Sequence, residues 1–98
     1  MKLAEKTEKR FENRVQNAID KMKEEYKYNP TELRRMISEH GTVNAVKRLI
    51  NNPNLSYGFK KLCMLKALHL SLEAIILEND WKELFTEEER KIAKRKLT

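Results

Sequence analysis

The sequence predicts an all-α fold, a compact bundle of about five to six helices led by one long helix at the N-terminus. Three observations predict it. Apolar residues recur at 3.6-residue spacing rather than in strict alternation. Helix-start signatures, a hydroxyl or an Asn just ahead of Pro or Glu, recur along the chain. Gly and Pro number only two each in 98 residues, too few for a fold built on many tight β-turns.

The first helix is expected from Lys2 to Tyr28. Phe11, Val15, Ala18, Ile19, Met22 and Tyr26 fall on one stripe of such a helix. Leu3 and Ala4 stand isolated among charges, so residues 1–10 read as an extension that projects or frays. Glu5–Lys9 and Glu24–Lys27 have the spacing of favourable ion pairs. Asn29-Pro30-Thr31-Glu32 then punctuates the chain. Proline suits a first helical position, and Glu32 can reach back to a capping Asn29. A second helix therefore starts at Pro30, with Leu33, Met36 and Ile37 inward. Gly41 after His40 supplies a left-handed stop.

Thr42 is expected to cap a third helix that turns Val43, Val46, Leu49 and Ile50 inward. Asn51-Asn52-Pro53-Asn54 ends it, because Asn side chains compete for backbone bonds and Pro cannot donate one. Ser56 caps a fourth helix, placed over residues 57–68, with Phe59, Leu62, Cys63 and Met64 or Leu65 inside. Ser71 caps a short fifth helix carrying Leu72, Ile75 and Ile76. Trp81, Leu84 and Phe85 form an apolar cluster on a turn, with Trp81 and Phe85 mostly buried. Thr86 and Glu89 spell a capping box that opens the last helix, with Ile92, Ala93 and Leu97 inward. Acids lead and bases trail along it, which suits the helix dipole. Residues 1–98 thus read as a single domain.

Composition excludes several classes. No stretch approaches the ~20 apolar residues of a membrane span. The N-terminal residues lack the apolar segment of a signal peptide. The lone Cys63 can make neither an intrachain disulfide nor a thiolate metal cage. Together these predict a cytoplasmic protein. A mean hydropathy of −0.78 with 37% charged residues leaves only a thin core. The regular apolar spacing nevertheless speaks against disorder.

The net charge of +6 is uneven. Residues 1–28 carry +2, residues 29–71 carry +5, and residues 72–98 carry −1. The central bases come as Arg34-Arg35, Lys47-Arg48, Lys60-Lys61 and then Lys66. A basic tail of Arg90, Lys91, Lys94 and Arg95 follows the acids of the last third. The central set is the candidate binding surface, and the tail offers further contacts, for phosphates or for an acidic protein face.

Candidate chemistry is sparse. His69 and Glu73 have i,i+4 spacing, but the Ser71 cap breaks the helix between them and no third ligand is evident, so no metal site is expected. Cys63 reads as a small core residue. Asp80-Trp81-Lys82 has the D-x-K spacing of some nucleases, without the strand that carries it there. No Gly-rich phosphate loop and no Ser/His/Asp constellation is present. The chain is therefore expected to be no enzyme and to bind no cofactor.

Met36 to Leu49, with Pro53, Leu55 and Ser56, resembles the opening of bacterial helix-turn-helix regulators. The helix over 57–68 would then present Tyr57, Lys60 and Lys61 to DNA. The connection from Asn51 to Ser56 is longer than the usual turn of ~3–4 residues. The helix also lacks the Arg, Asn or Gln that read base edges.

From Tyr28 onward a distributed pattern stands out. It runs Pro30-Thr31, Gly41, Ala45-Val46-Lys47-Arg48-Leu49-Ile50, Pro53, Ser56, Gly58-Phe59, Leu70-Ser71-Leu72-Glu73-Ala74, Trp81, Leu84-Phe85-Thr86 and Glu89. It resembles a small, poorly characterised bacterial α-helical domain, met alone or appended to other domains. The resemblance covers residues 29–97 and implies a helical module without assigned catalytic residues. The expected function is a non-enzymatic bacterial or phage protein-binding factor, an adaptor or an inhibitor of a larger partner such as a guided nuclease. Nucleic-acid binding is the alternative. No membrane is expected as a partner, and the long first helix leaves room for a homodimer.

Overall fold

The computed structural model describes residues 2–98, with side chains from Glu5 onward. Among the described residues the chain forms six α-helices, two 3₁₀ turns and no strand. The helices are α1 (Lys2–Tyr26), α2 (Thr31–His40), α3 (Thr42–Asn51), α4 (Tyr57–Met64), α5 (Leu72–Ile76) and α6 (Glu87–Leu97). Short turns at Leu68–Leu70 and Asn79–Trp81 flank α5. The all-α bundle with a long first helix is thus as expected. No described helix is long and apolar enough to cross a membrane.

The stripe on α1 forms one wall of the core. Phe11, Val15, Ala18, Ile19 and Met22 are each at most 2% exposed. This helix lies across α3 and both turns. α2 and α3 pack together about Gly41, and α5 and α6 form a second pair that also meets α3. Val46, Ile50, Ile75, Ile76 and Ala93 close the core between them. α4 sits at the edge, and its main neighbour is the Leu68–Leu70 turn.

Aromatic contacts lock α1 to the segment after α5. The Phe11 ring meets Trp81 at 5.3 Å and Phe85 at 5.2 Å, both edge-on, a favoured geometry for aromatic pairs. Glu78 adds a polar lock. Its carboxylate accepts from Arg14 Nη2 at 2.8 Å and from Trp81 Nε1 at 2.8 Å. Arg10 reaches Asp80 at 3.2 Å, and Thr7 is buried. Of the segment 1–10, Met1 and the side chains of residues 2–4 lie outside the described residues.

Several helix ends differ from expectation, each for a local reason. α1 stops at Tyr26 rather than Tyr28, because Lys27 turns left-handed at φ 56°. The Tyr28 N–H then reaches back to the Met22 carbonyl at 2.9 Å. The expected Glu24–Lys27 pair is not formed, since Lys27 has left the helix. Lys9 meets Glu12 at 3.8 Å instead of Glu5. The Asn29–Glu32 cap is also absent, and α2 opens at Thr31. Both side chains are otherwise engaged: Asn29 Oδ1 accepts from Arg34 at 3.1 Å, and Glu32 pairs with Arg35.

Gly41 adopts φ 83°, a region suited to glycine. Its N–H donates to the Ile37 carbonyl at 2.8 Å. Gly41, not Thr42, occupies the cap position of α3, and Thr42 lies buried in the first turn. Ser56, Ser71 and Thr86 do cap α4, α5 and α6, accepting backbone N–H groups at 3.0, 3.1 and 3.0 Å. α4 ends at Met64, well short of residue 68. Lys66 turns left-handed at φ 58°. Its N–H bonds to Cys63 O at 3.0 Å, and the Ala67 N–H bonds to Leu62 O at 2.8 Å, which is a Schellman closure. Cys63, expected inside, is exposed; of the alternatives Met64 and Leu65, Leu65 packs against the core and Met64 is 78% exposed.

Two stability predictions follow from this packing. Trp81→Ala removes a ring that is 4% exposed, and should cost roughly 3–5 kcal/mol in chemical denaturation. Lys66→Gly relieves a left-handed non-glycine residue and should add about 1 kcal/mol, seen as a higher urea midpoint with an unchanged slope.

Candidate functional site

The central bases divide into two chemical sets once their partners are known. Arg35 is clamped between Glu32 and Glu39, one turn away on either side. Arg34 donates to Asn29. Lys47 Nζ meets Glu89 Oε1 at 2.8 Å and sits 5.0 Å from the centre of the Phe85 ring. These three cations serve the fold. Arg48, Lys60, Lys61 and Lys66 form no ion pair among the described residues. Packing of α2 on α3 brings Arg48 and Arg35 to one shallow depression, which Glu32 and Glu39 share.

The tail divides the same way. Arg90 donates to the carbonyls of Ile76 at 3.3 Å and Leu77 at 3.1 Å, closing the C-terminal end of α5. Lys96, absent from the expected contact set, closes α3 through the carbonyls of Leu49, Ile50 and Asn52 at 3.3, 2.9 and 2.9 Å. Arg95 reaches Glu88 only at 3.9 Å. Lys91 and Lys94 are exposed without ion pairs among the described residues.

What remains is the outer face of α4. Phe59 and Leu62 turn inward, at 6% and 3% exposure. The opposite side carries Tyr57, 70% exposed, Met64, 78% exposed, and Lys60 and Lys61 between them. No acid occurs from His40 to Leu72, so nothing local neutralises those lysines. Leu55, 41% exposed, precedes the helix. A large aromatic, a flexible thioether and ammonium groups without ion pairs thus share one short helix.

An apolar cleft of about 70 Å³ adjoins this face. Met22, Leu33, Leu49, Leu62 and Leu72 supply its walls, and Tyr28, Tyr57, Glu32 and Glu73 also line it. Tyr28 titrates above its ordinary value because it is partly buried and lies near Tyr57. Glu73 is 4% exposed. Burial pushes its carboxyl up, against weaker opposition from its own backbone N–H and from Lys96. Lys96 directs its donors to three carbonyls, which is the donor capacity of an ammonium. Among the described residues no side chain hydrogen-bonds the Glu73 carboxylate.

Glu89 shows the opposite balance. Burial would raise it, but Lys47, the Thr86 N–H and Asn51 outweigh that and hold it below the ordinary carboxylate range. Sequence reasoning placed neither Glu73 nor Lys96 at the site. The available signal was that Glu73 ends the acid-free stretch, directly after a serine cap. Comparison of the chain with protein-family models, with curated proteins and with solved structures gives no match.

The two carboxylates predict opposite pH behaviour. Glu89 stabilises the fold above its unfolded value of about 4.3, and that contribution is lost as pH falls through its lower folded value. Glu73 has a raised folded value, so its relative stabilisation is full below the unfolded value of about 4.3 and is lost as pH rises through the higher folded value. Glu73→Gln should therefore raise the melting temperature at pH 7, and the gain should vanish at acid pH. Glu89→Gln should lower it at pH 7, by a margin that shrinks on acidification. Thermal melts across pH 3–7 check both signs.

Proposed function

We propose that the chain is a non-enzymatic protein-binding module, an adaptor or inhibitor that docks the outer face of α4 on a larger partner. One observation carries this reading: Tyr57 and Met64 stand exposed on α4 with Lys60 and Lys61 unpaired between them. Exposed aromatic and Met side chains suit an interface core, and free lysines suit an acidic rim. The bacterial or phage context suggested by the residue pattern belongs to the same reading.

DNA binding through α4 has less support. A helix-turn-helix needs its two helices packed together, whereas the main neighbour of α4 is the Leu68–Leu70 turn rather than α3. α4 also offers lysines and apolar groups rather than base-reading side chains.

Cys63 gives a direct test, being the only cysteine and exposed on α4. A photo-crosslinker attached there should trap one stoichiometric protein. Changing both Lys60 and Lys61 to Glu should abolish the trap while the fold persists. Retention of the cross-link in that variant counts against the reading. Duplex-DNA affinity with a log–log salt slope of about −0.9 per phosphate contacted would replace it with the DNA reading.

A further inference from the structure

The cleft beside α4 has a composition that selects a ligand. Its walls are aliphatic, yet Glu73, 4% exposed, is among the residues that line it, and its carboxylate has its own backbone N–H but no side-chain donor. A buried charge without a partner is costly, so such groups are normally paired. Here the nearby cation, Lys96, is occupied by carbonyls. Two tyrosines, Tyr28 and Tyr57, also line it, with Glu32, whose carboxylate is paired with Arg35. Aromatic faces and carboxylates both attract cations. The volume of about 70 Å³ is roughly half that of the ~150 Å³ apolar cavity that holds benzene. That leaves room for part of an unbranched aliphatic chain.

We propose that this cleft receives the side chain of a lysine presented by a protein partner, its methylenes against Leu33, Leu49, Leu62 and Leu72 and its ammonium on Glu73. The site deepens the docking reading, since Tyr57 belongs both to the cleft and to the outer face of α4. A lysine flanked by acids would satisfy both surfaces at once: the lysine enters the cleft, and the acids meet Lys60 and Lys61. A neutral aliphatic side chain would bring Glu73 no cation.

The probe is n-butylammonium chloride, titrated into the full chain and followed by methyl and carboxyl carbon NMR. Saturable shifts are expected at Leu62 and Leu72, with a dissociation constant on the order of millimolar for so small a ligand. n-Pentanol, of matching length but neutral, should bind at least tenfold more weakly. The titration midpoint of the Glu73 carboxyl should move down with the amine and stay put with the alcohol. Glu73→Gln should weaken the amine at least tenfold and leave the alcohol unchanged. Equal binding of amine and alcohol, an unmoved Glu73 midpoint, or no saturable shift at the cleft methyls would overturn the site. The wild-type carboxyl readout holds even if the Gln variant folds poorly.

The source of the ammonium is tested separately. An acetylated pentapeptide with a lysine between two pairs of glutamates should bind more tightly than butylammonium. Spermidine should bind no more tightly than butylammonium, because Lys60 and Lys61 repel its further charges. Tighter binding of spermidine than of the peptide would overturn the assignment to a protein lysine. None of these measurements needs the partner itself. A positive amine titration with a failed Cys63 cross-link would retain the cleft and reject the docking reading, and the reverse outcome would do the opposite.

Discussion

Every helix leaves four N–H and four C=O groups unpaired at its ends, and this fold is made largely of ends. α5 has five residues and α4 has eight. Such helices are marginal on their own and hold only if tertiary contacts close them. Three hydroxyl caps serve the N-terminal ends. At the C-terminal ends of α3 and α5, α6 supplies the donors. Arg90 closes α5, and Lys96 closes α3. α6 is therefore a clamp across two other helices, placed by its own capping box. Glu89 couples the two tasks: it accepts the Thr86 N–H at 2.9 Å and holds Lys47 and Asn51 of α3.

This requirement sorts the charge. A basic chain with few acids in its middle would look uniformly cationic if all its lysines and arginines were free. Instead, Arg34, Arg35, Lys47, Arg90 and Lys96 are bound to oxygens of the fold. The cations left over are not random. Three of them, Lys60, Lys61 and Lys66, lie on or just after α4, a helix that buries only Phe59 and Leu62. Two exposed apolar side chains share that helix. The proposed docking face is thus what remains after the structural needs of the other helices are met.

Apolar periodicity made the helices legible in the sequence, and the hydroxyl caps at Ser56, Ser71 and Thr86 fixed where three of them begin. The aromatic cluster was legible too, because Trp81 and Phe85 have no other plausible place in a polar segment. Helix ends set by long-range competition were not legible. Asn29 and Glu32 match a capping box in sequence, but arginines one turn on compete for the same oxygens. Cys63 and Met64 fall on the inner face only if α4 continues. The left-handed turn at Lys66 has no glycine to announce it, so the helix was read as longer and wider in its apolar face than it is. The basic pairs were visible as pairs, but which of their members the fold uses was not, since the partner of Lys47, Glu89, lies 42 residues away on another helix. The cleft was invisible for the same reason, since it joins α1, α2, α3, α4 and α5.

Glu73 gives the cleft its character. In a chain with a thin core, a carboxylate held at 4% exposure with only its own backbone N–H as donor is a standing cost to folding. A glutamine would fit the same space and remove that cost. The carboxylate contributes discrimination instead. An apolar pocket separates ligands differing by a methylene only weakly, by roughly 1–3 kcal/mol. A buried charge that gains its partner only on binding separates a cation from a neutral isostere far more sharply, because the wrong ligand leaves the charge unpaired. The feature that weakens the free fold is then the same one that would make the proposed site selective, and stability and specificity trade against each other at a single side chain.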